Sequence, residues 1–136
     1  MDNLTKAIFA KKANSTFNTL IGGRLFEDVA PYGTPYPYAV YTIVSSPKEK
    51  TFTEIYRNTN IQFTLYSASK SSTELKAIYA ALSALYDECS LTISGSALVW
   101  MREENVLFNI EAMATPKESE IVRVCYVDFD VKTSLN

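Results

Sequence analysis

Gly22-Gly23-Arg24-Leu25-Phe26-Glu27-Asp28-Val29-Ala30-Pro31-Tyr32-Gly33-Thr34-Pro35-Tyr36-Pro37-Tyr38-Ala39-Val40-Tyr41 decides how the chain is built. This stretch holds three of the five prolines and three of the four glycines, so it reads as a stiff, turn-rich crossing. Gly22-Gly23 stops whatever helix precedes it, because glycine takes the left-handed C-cap conformation cheaply. Pro37 keeps Tyr36 out of helical backbone. The β-branched and aromatic residues 38–45 then read as a strand. Arg24 to Val29 forms a second, shorter strand candidate. A helix handed through a stiff crossing into a sheet implies mixed α and β structure.

The flanks agree. Upstream, Leu4, Ile8, Phe9, Ala13, Phe17 and Leu20 recur near the 3.6-residue period and predict a helix over 3–20. Asp2 or Asn3 can cap it, and Asn14-Ser15-Thr16 weakens it enough to end or break it. Downstream, 46–58 is harder. Pro47 and Lys48-Glu49-Lys50 interrupt the apolar pattern, leaving two readings: a long mobile loop, or the tip and return limb of a hairpin arm. Residues 60–67 alternate cleanly, Ile61, Phe63 and Leu65 on one face. Ser71 with Glu74 reads as a capping box. It opens a helix on which Leu75, Ile78, Tyr79, Leu82, Leu85, Tyr86 and Cys89 share a side. Later strand candidates are 91–93, 98–102, 106–114 and 120–132, with a turn at Glu103-Glu104-Asn105 and a loop at 116–119. In the last strand Cys125, Val127, Phe129 and Val131 face one way, and Tyr126, Asp128 and Asp130 the other. The expected architecture is a single α+β domain spanning 1–136, a mostly antiparallel sheet with two helices packed on one face.

The chain has 136 residues, enough to bury a real core without staples. Its net charge of −2 argues against nucleic acid as the main partner. Cys89 and Cys125 lack metal or redox spacing and read as buried free thiols. The N-terminus has no apolar signal region and no run approaches membrane-spanning length, so the expected site of assembly is a cytosol. There is no histidine, which removes the commonest general base and metal ligand. Glu27-Asp28, Glu103-Glu104 and Asp128 with Asp130 show no convergence into a cleft. No enzyme, cofactor or metal is expected. Contact residues are a different matter: Lys48, Glu49, Lys50, Tyr56 and Arg57 suit a docking surface. Arg24 suits a bidentate contact to a neighbouring subunit. Asp128 and Asp130 suit an acidic lining. Trp100 reads as core or half-core.

Gly23-Arg24-Leu25-Phe26, then Ala30-Pro31, then Pro37-Tyr38-Ala39-Val40, resembles the layout of siphophage and prophage tail completion or tail terminator proteins. The alternating strand at 61–67, the helix over 71–88 and the closing strand at 121–131 continue the resemblance across most of the chain. It implies a structural virion protein, commonly a hexameric ring, that binds the head-proximal end of the tail tube. There it stops polymerisation and presents a surface to the head connector, with DNA only passing through. Two other readings stay open: a head-completion or neck protein, and a small ligand-binding α+β module.

Overall fold

The computed structural model describes residues 2–114 and 119–135. The helical pattern at the N-terminus breaks where expected. Helix α1 (Asp2–Lys12) stops, Asn14 turns through a positive φ of 61°, and Ser15 caps α2 (Thr16–Leu20) by accepting from the Asn18 N–H. The expected break at Asn14-Ser15-Thr16 thus divides the N-terminal segment into two helices. Asn3 does not cap; its amide donates to the Ser94 carbonyl. Gly22 and Gly23 follow at φ +61° and +76°, which costs glycine little. A Cβ on Gly22 would lie 2.5 Å from the Arg24 guanidinium.

Six strands form one sheet: β1 (Leu25–Glu27), β2 (Tyr38–Ser45), β3 (Lys48–Lys50), β4 (Ile55–Ser67), β5 (Ala97–Ala114) and β6 (Ser119–Ser134). The order is β1-β2-β4-β6-β5, with β3 paired to the start of β4. Only β1 against β2 is parallel; the other pairs are antiparallel. Residues 46–58 are thus the hairpin arm rather than a loop. The fold is α+β.

Helix α3 (Thr73–Tyr86) differs from expectation at its start. The capping box is absent: Ser72 is the N-cap without a side-chain bond, and Glu74 instead accepts the Ser67 hydroxyl at 2.6 Å. That bond satisfies a buried serine at the end of β4, which wins over a solvent-exposed cap. Residues 91–93 are not a strand; Ile93 is buried from a loop. Glu103-Glu104-Asn105 is not a turn. It lies inside the continuous β5, where a bulge between Glu103 and Asn105 takes up the extra residue. The loop expected at 116–119 lies outside the described residues except for Ser119, which opens β6.

The helices lie on one face of the sheet. Ala39 and Tyr41 of β2, Ile61, Phe63 and Leu65 of β4, and Cys125, Val127, Phe129 and Val131 of β6 are buried beneath them. Period-2 alternation puts these residues on one side and Thr64, Tyr126 and Asp128 on the other. Phe63 is central, with its ring centroid 5.2 Å from Tyr86, 5.5 Å from Phe129 and 5.9 Å from Tyr41. Tyr86 donates its buried hydroxyl to the Ile8 carbonyl at 2.7 Å, tying α1 to α3.

Phe63→Ala opens a cavity where three rings meet. A loss of about 3–5 kcal/mol is expected in urea unfolding with an unchanged m-value. A loss under 1 kcal/mol would show that Phe63 is not the centre of the core.

Candidate assembly surface

The side of the sheet away from the helices, the open face, buries Val40, Val122 and Val124 but leaves most of its polar residues accessible, and its cross-strand rows follow from the register. Tyr38, Tyr66, Val124 and Asn109 lie in one row, and Val40, Thr64, Tyr126 and Leu107 in the next. Thr42, Gln62, Asp128 and Asn105 follow. Beyond them come Asn60, Asp130 and Arg102, then Asn58, Lys132 and Trp100. The first rows are aromatic and apolar: Tyr38 stacks on Tyr66 at 4.8 Å and meets Tyr36 in a tilted contact at 5.3 Å. Burial raises the Tyr38 hydroxyl above its ordinary pKa.

The last rows carry a chain of alternating charges and rings. The Glu49 carboxylate accepts from Asn58 at 3.0 Å and pairs with Lys132 at 3.7 Å. The Asn58 bond, then the Lys132 charge, hold Glu49 below the usual carboxylate range. Lys132 lies 4.5 Å above the Tyr56 ring and 4.9 Å above Trp100. Arg102 stacks on Trp100 at 4.1 Å. Trp100 donates its indole N–H to Asp130 at 2.9 Å, and Arg102 pairs with the same oxygen at 3.7 Å. Gln62 donates to Asp128 at 3.1 Å.

Of the residues expected to act in contacts, Glu49 and Tyr56 come together, directly opposed in the β3–β4 hairpin. Lys48 and Lys50 are exposed on that arm. Arg57 points to the other side and donates to the Ser46 carbonyl at 2.7 Å, fixing the arm's base. Arg24 lies at the far edge of the sheet, where its Nε donates to Pro37 O at 3.0 Å and braces the crossing. Asp128 and Asp130 share the open face, as their parity predicts, but Asp130 is paired. Trp100 is half-buried on the open face rather than in the core.

Lys132, Arg102 and Phe52 belong to this surface and were not singled out by the sequence. Lys132 has the parity of Asp128 and Asp130, a signal that was there to use. Phe52, a lone aromatic between polar residues, sits fully exposed at the arm's tip. Arg102 joins because the bulge between Glu103 and Asn105 puts it on the face opposite Phe108 and Ile110.

On the covered face, Tyr79 of α3 donates to Glu103 Oε2 at 2.8 Å and meets Phe108 edge-on at 5.6 Å. Glu103 Oε1 is buried without a hydrogen-bond partner. Cys89 and Cys125 are free thiols, Cys125 fully buried. Burial, then the Glu103 charge, push the Cys125 thiol up to about 12. Among the described residues no cluster of three or more His, Cys, Asp or Glu side chains could hold a metal ion. No helix there is long and apolar enough to cross a membrane.

A small α+β domain with one covered sheet face, a projecting arm and a charge-laced open face has the form of an assembly protein. The family model described as "Tail completion protein gp17" matches residues 6–108, and the chain belongs to that family. It is therefore a structural protein of the phage tail and a virion component. The fold is also that of a solved chain from the "Virion of native gene transfer agent (GTA) particle". That chain has 15% identity and a TM-score of 0.79, with 96% of this chain and 94% of that one covered. A second solved chain, 12% identical, matches with a TM-score of 0.56 over the same shares of both chains. Among curated proteins none is significantly similar in sequence.

Tyr79 gives a pH signature for the covered face. Burial, then the Glu103 bond, push its hydroxyl up to about 12 from the ordinary 10.0. A folded-state pKa raised this way gives stability fully present below pH 10 and lost as pH climbs through 12. Stability should therefore fall across that window, and less steeply in Tyr79→Phe. Equal slopes for the two proteins would dissociate Tyr79 from the alkaline loss.

Proposed function

We propose that this protein closes the head-proximal end of the tail tube. It stops tube polymerisation, presents a surface to the head connector, and acts as a ring of copies through contacts rather than catalysis. The observation that carries this reading is the β3–β4 arm. A short hairpin projects from the end of the sheet, is locked at its base by Arg57 and Ser46, and holds Phe52 entirely in solvent. A solvated aromatic at the tip of a braced hairpin gains free energy only when a partner buries it. The tail-completion family and the virion-like fold support the same reading. The partners are then further copies of this chain, the tail tube protein and the head connector.

The open face belongs to the side that DNA passes. Asp128 keeps a carboxylate there, hydrogen-bonded by the neutral Gln62, and Asp130 adds to it despite its pairing with Arg102. Like charge discourages a polyanion from adhering.

Phage lacking this protein should carry overlong tails. Tailless or leaking heads would point to a neck role instead, and normal particles would exclude both. Phe52→Ala should fold like the parent, because the side chain touches nothing, yet reduce tail completion tenfold or more, the size of an interface hot spot. Complementation titres with electron microscopy measure this; undiminished titres would remove the arm from the mechanism. Asp128→Asn combined with Asp130→Asn should leave particles assembled and slow DNA ejection. Ejection at the parental rate would show that this face does not line the DNA path.

A further inference from the structure

The two edges of the sheet are chemically complementary, and the register puts their complementary parts at the same level. Leu25 of β1 lies in one row with Ala39, Leu65, Cys125 and Phe108 of β5; Phe26 lies in the next with Leu107, and Glu27 with Val106. One edge thus carries β1 and the loop that follows it, and the opposite edge carries the distal half of β5.

The β1 edge is acidic and apolar. Residues 27–33 contain Glu27 and Asp28 and no Lys or Arg, a net charge of −2. Val29 is 75% exposed and Tyr32 fully exposed. These side chains are held out by a braced loop. Asp28 N–H donates to Tyr41 O at 2.9 Å, Val29 N–H to Glu27 O at 2.7 Å, and Thr34 N–H to Pro31 O at 3.2 Å. Arg24 secures the loop's far end through Pro37. Such pre-ordering lowers the entropic cost of binding.

The groove beside the distal half of β5 is basic and apolar. Residues 97–105 of β5 defend an open edge with two bulges and with Arg102, Glu103 and Glu104. Residues 106–110 carry no charge and no bulge, and they leave Leu107 and Ile110 more than half exposed. Beside them a groove of about 400 Å³ runs between this strand and the start of α3, lined by Ser72, Leu75, Lys76, Phe108, Ile110 and Arg123. Lys70 and Lys76 are exposed here. Arg123 is fixed by Ser69 O at 3.3 Å and Lys70 O at 2.8 Å. The nearby acid Glu74 is engaged by Ser67.

We propose that residues 27–33 of one copy dock into the Leu75–Phe108–Ile110 groove of the next, joining the β1 edge of one sheet to the β5 edge of its neighbour. The contact uses two different surfaces of the same chain, so it is head-to-tail and closes into a ring when the rotation permits. Val29 and Tyr32 fill the groove, and Glu27 and Asp28 meet Lys70 and Lys76. The other exposed aromatic segment, 48–54 with Phe52, balances two lysines against two glutamates and offers the basic groove no net charge. This assignment rests on the ring in the proposed function and names its subunit contact.

The test is disulfide trapping of Tyr32→Cys with Ile110→Cys in a Cys89→Ser background, both as free protein and in tails purified from phage that carry the variant. Oxidation should give a ladder of linked multimers in tails, with each single-cysteine variant staying monomeric on the non-reducing gel. Incorporation into tails without a ladder overturns the groove contact and leaves the tail role standing. A ladder in free protein supports the contact whether or not the linked multimers enter tails. No ladder in either setting overturns the contact, as does dimer formation by a single-cysteine variant, which marks a two-fold interface. Lys76→Glu, an exposed change checked for folding by circular dichroism, should weaken self-association roughly tenfold; unchanged association also overturns the contact.

Discussion

The stacking of Phe63 against Tyr86 fastens the helical layer to the sheet, and the rest of the molecule depends on it. Phe63 stands mid-strand in β4, the strand that pairs with β2, β3 and β6. Tyr86 ends α3 and holds Ile8 of α1 through its hydroxyl. One aromatic pair therefore links the sheet's central strand, the main helix and the N-terminal helix. Phe17 of α2 meets the same Tyr86 ring at 6.4 Å. Aromatic pairs add of order 1 kcal/mol beyond the area they bury, so a cluster at one point concentrates the core's stability there.

That concentration has a geometric consequence. α3 has 14 residues and β5 has 18. A helix of that length covers about 21 Å, whereas a strand of that length extends about 60 Å. The helical layer cannot cover the sheet it sits on. Phe108 and Ile110 share a face with the core residues but stand on the edge strand beside the first turns of α3, where Tyr79 covers Phe108 only edge-on, and they stay exposed while Cys125 and Phe129 on the interior strand β6 do not. The groove at the start of α3 is the place where this mismatch becomes a surface.

Much of this was legible in the sequence. Period-2 alternation placed Ile61, Phe63 and Leu65 of β4 and Cys125, Val127, Phe129 and Val131 of β6 on one face, where the structure buries them, and the break at Asn14-Ser15-Thr16 marked the gap between α1 and α2. The hidden parts were those where a long-range contact overrode a local signal. Glu74 looks like half of a capping box until Ser67, brought near by the sheet, takes its carboxylate. Glu103-Glu104-Asn105 looks like a turn because bulges are set by a partner strand, and pairing distances do not appear in composition. The contact surface was half legible. The arm's charges were visible in a row, whereas Lys132 stands 83 positions beyond Glu49 and meets it only through the register.

The open face explains why the molecule is asymmetric. Its rows pass from stacked tyrosines to a lattice of Asp130, Arg102, Trp100, Lys132 and Glu49, in which each charge has an opposite charge or a ring beside it. A face so internally compensated gains little by binding a second copy of itself, because like rows would meet like rows. Apart from Asp128 on that face, the uncompensated features lie at the perimeter: the solvated Phe52, the acidic loop after β1 and the basic groove beside β5. A protomer whose free chemistry is spread over opposite edges leaves one of those edges unused in any single two-fold contact. Such a chain is suited to successive neighbours, and the stiff crossing at 22–41 keeps one of those edges in place.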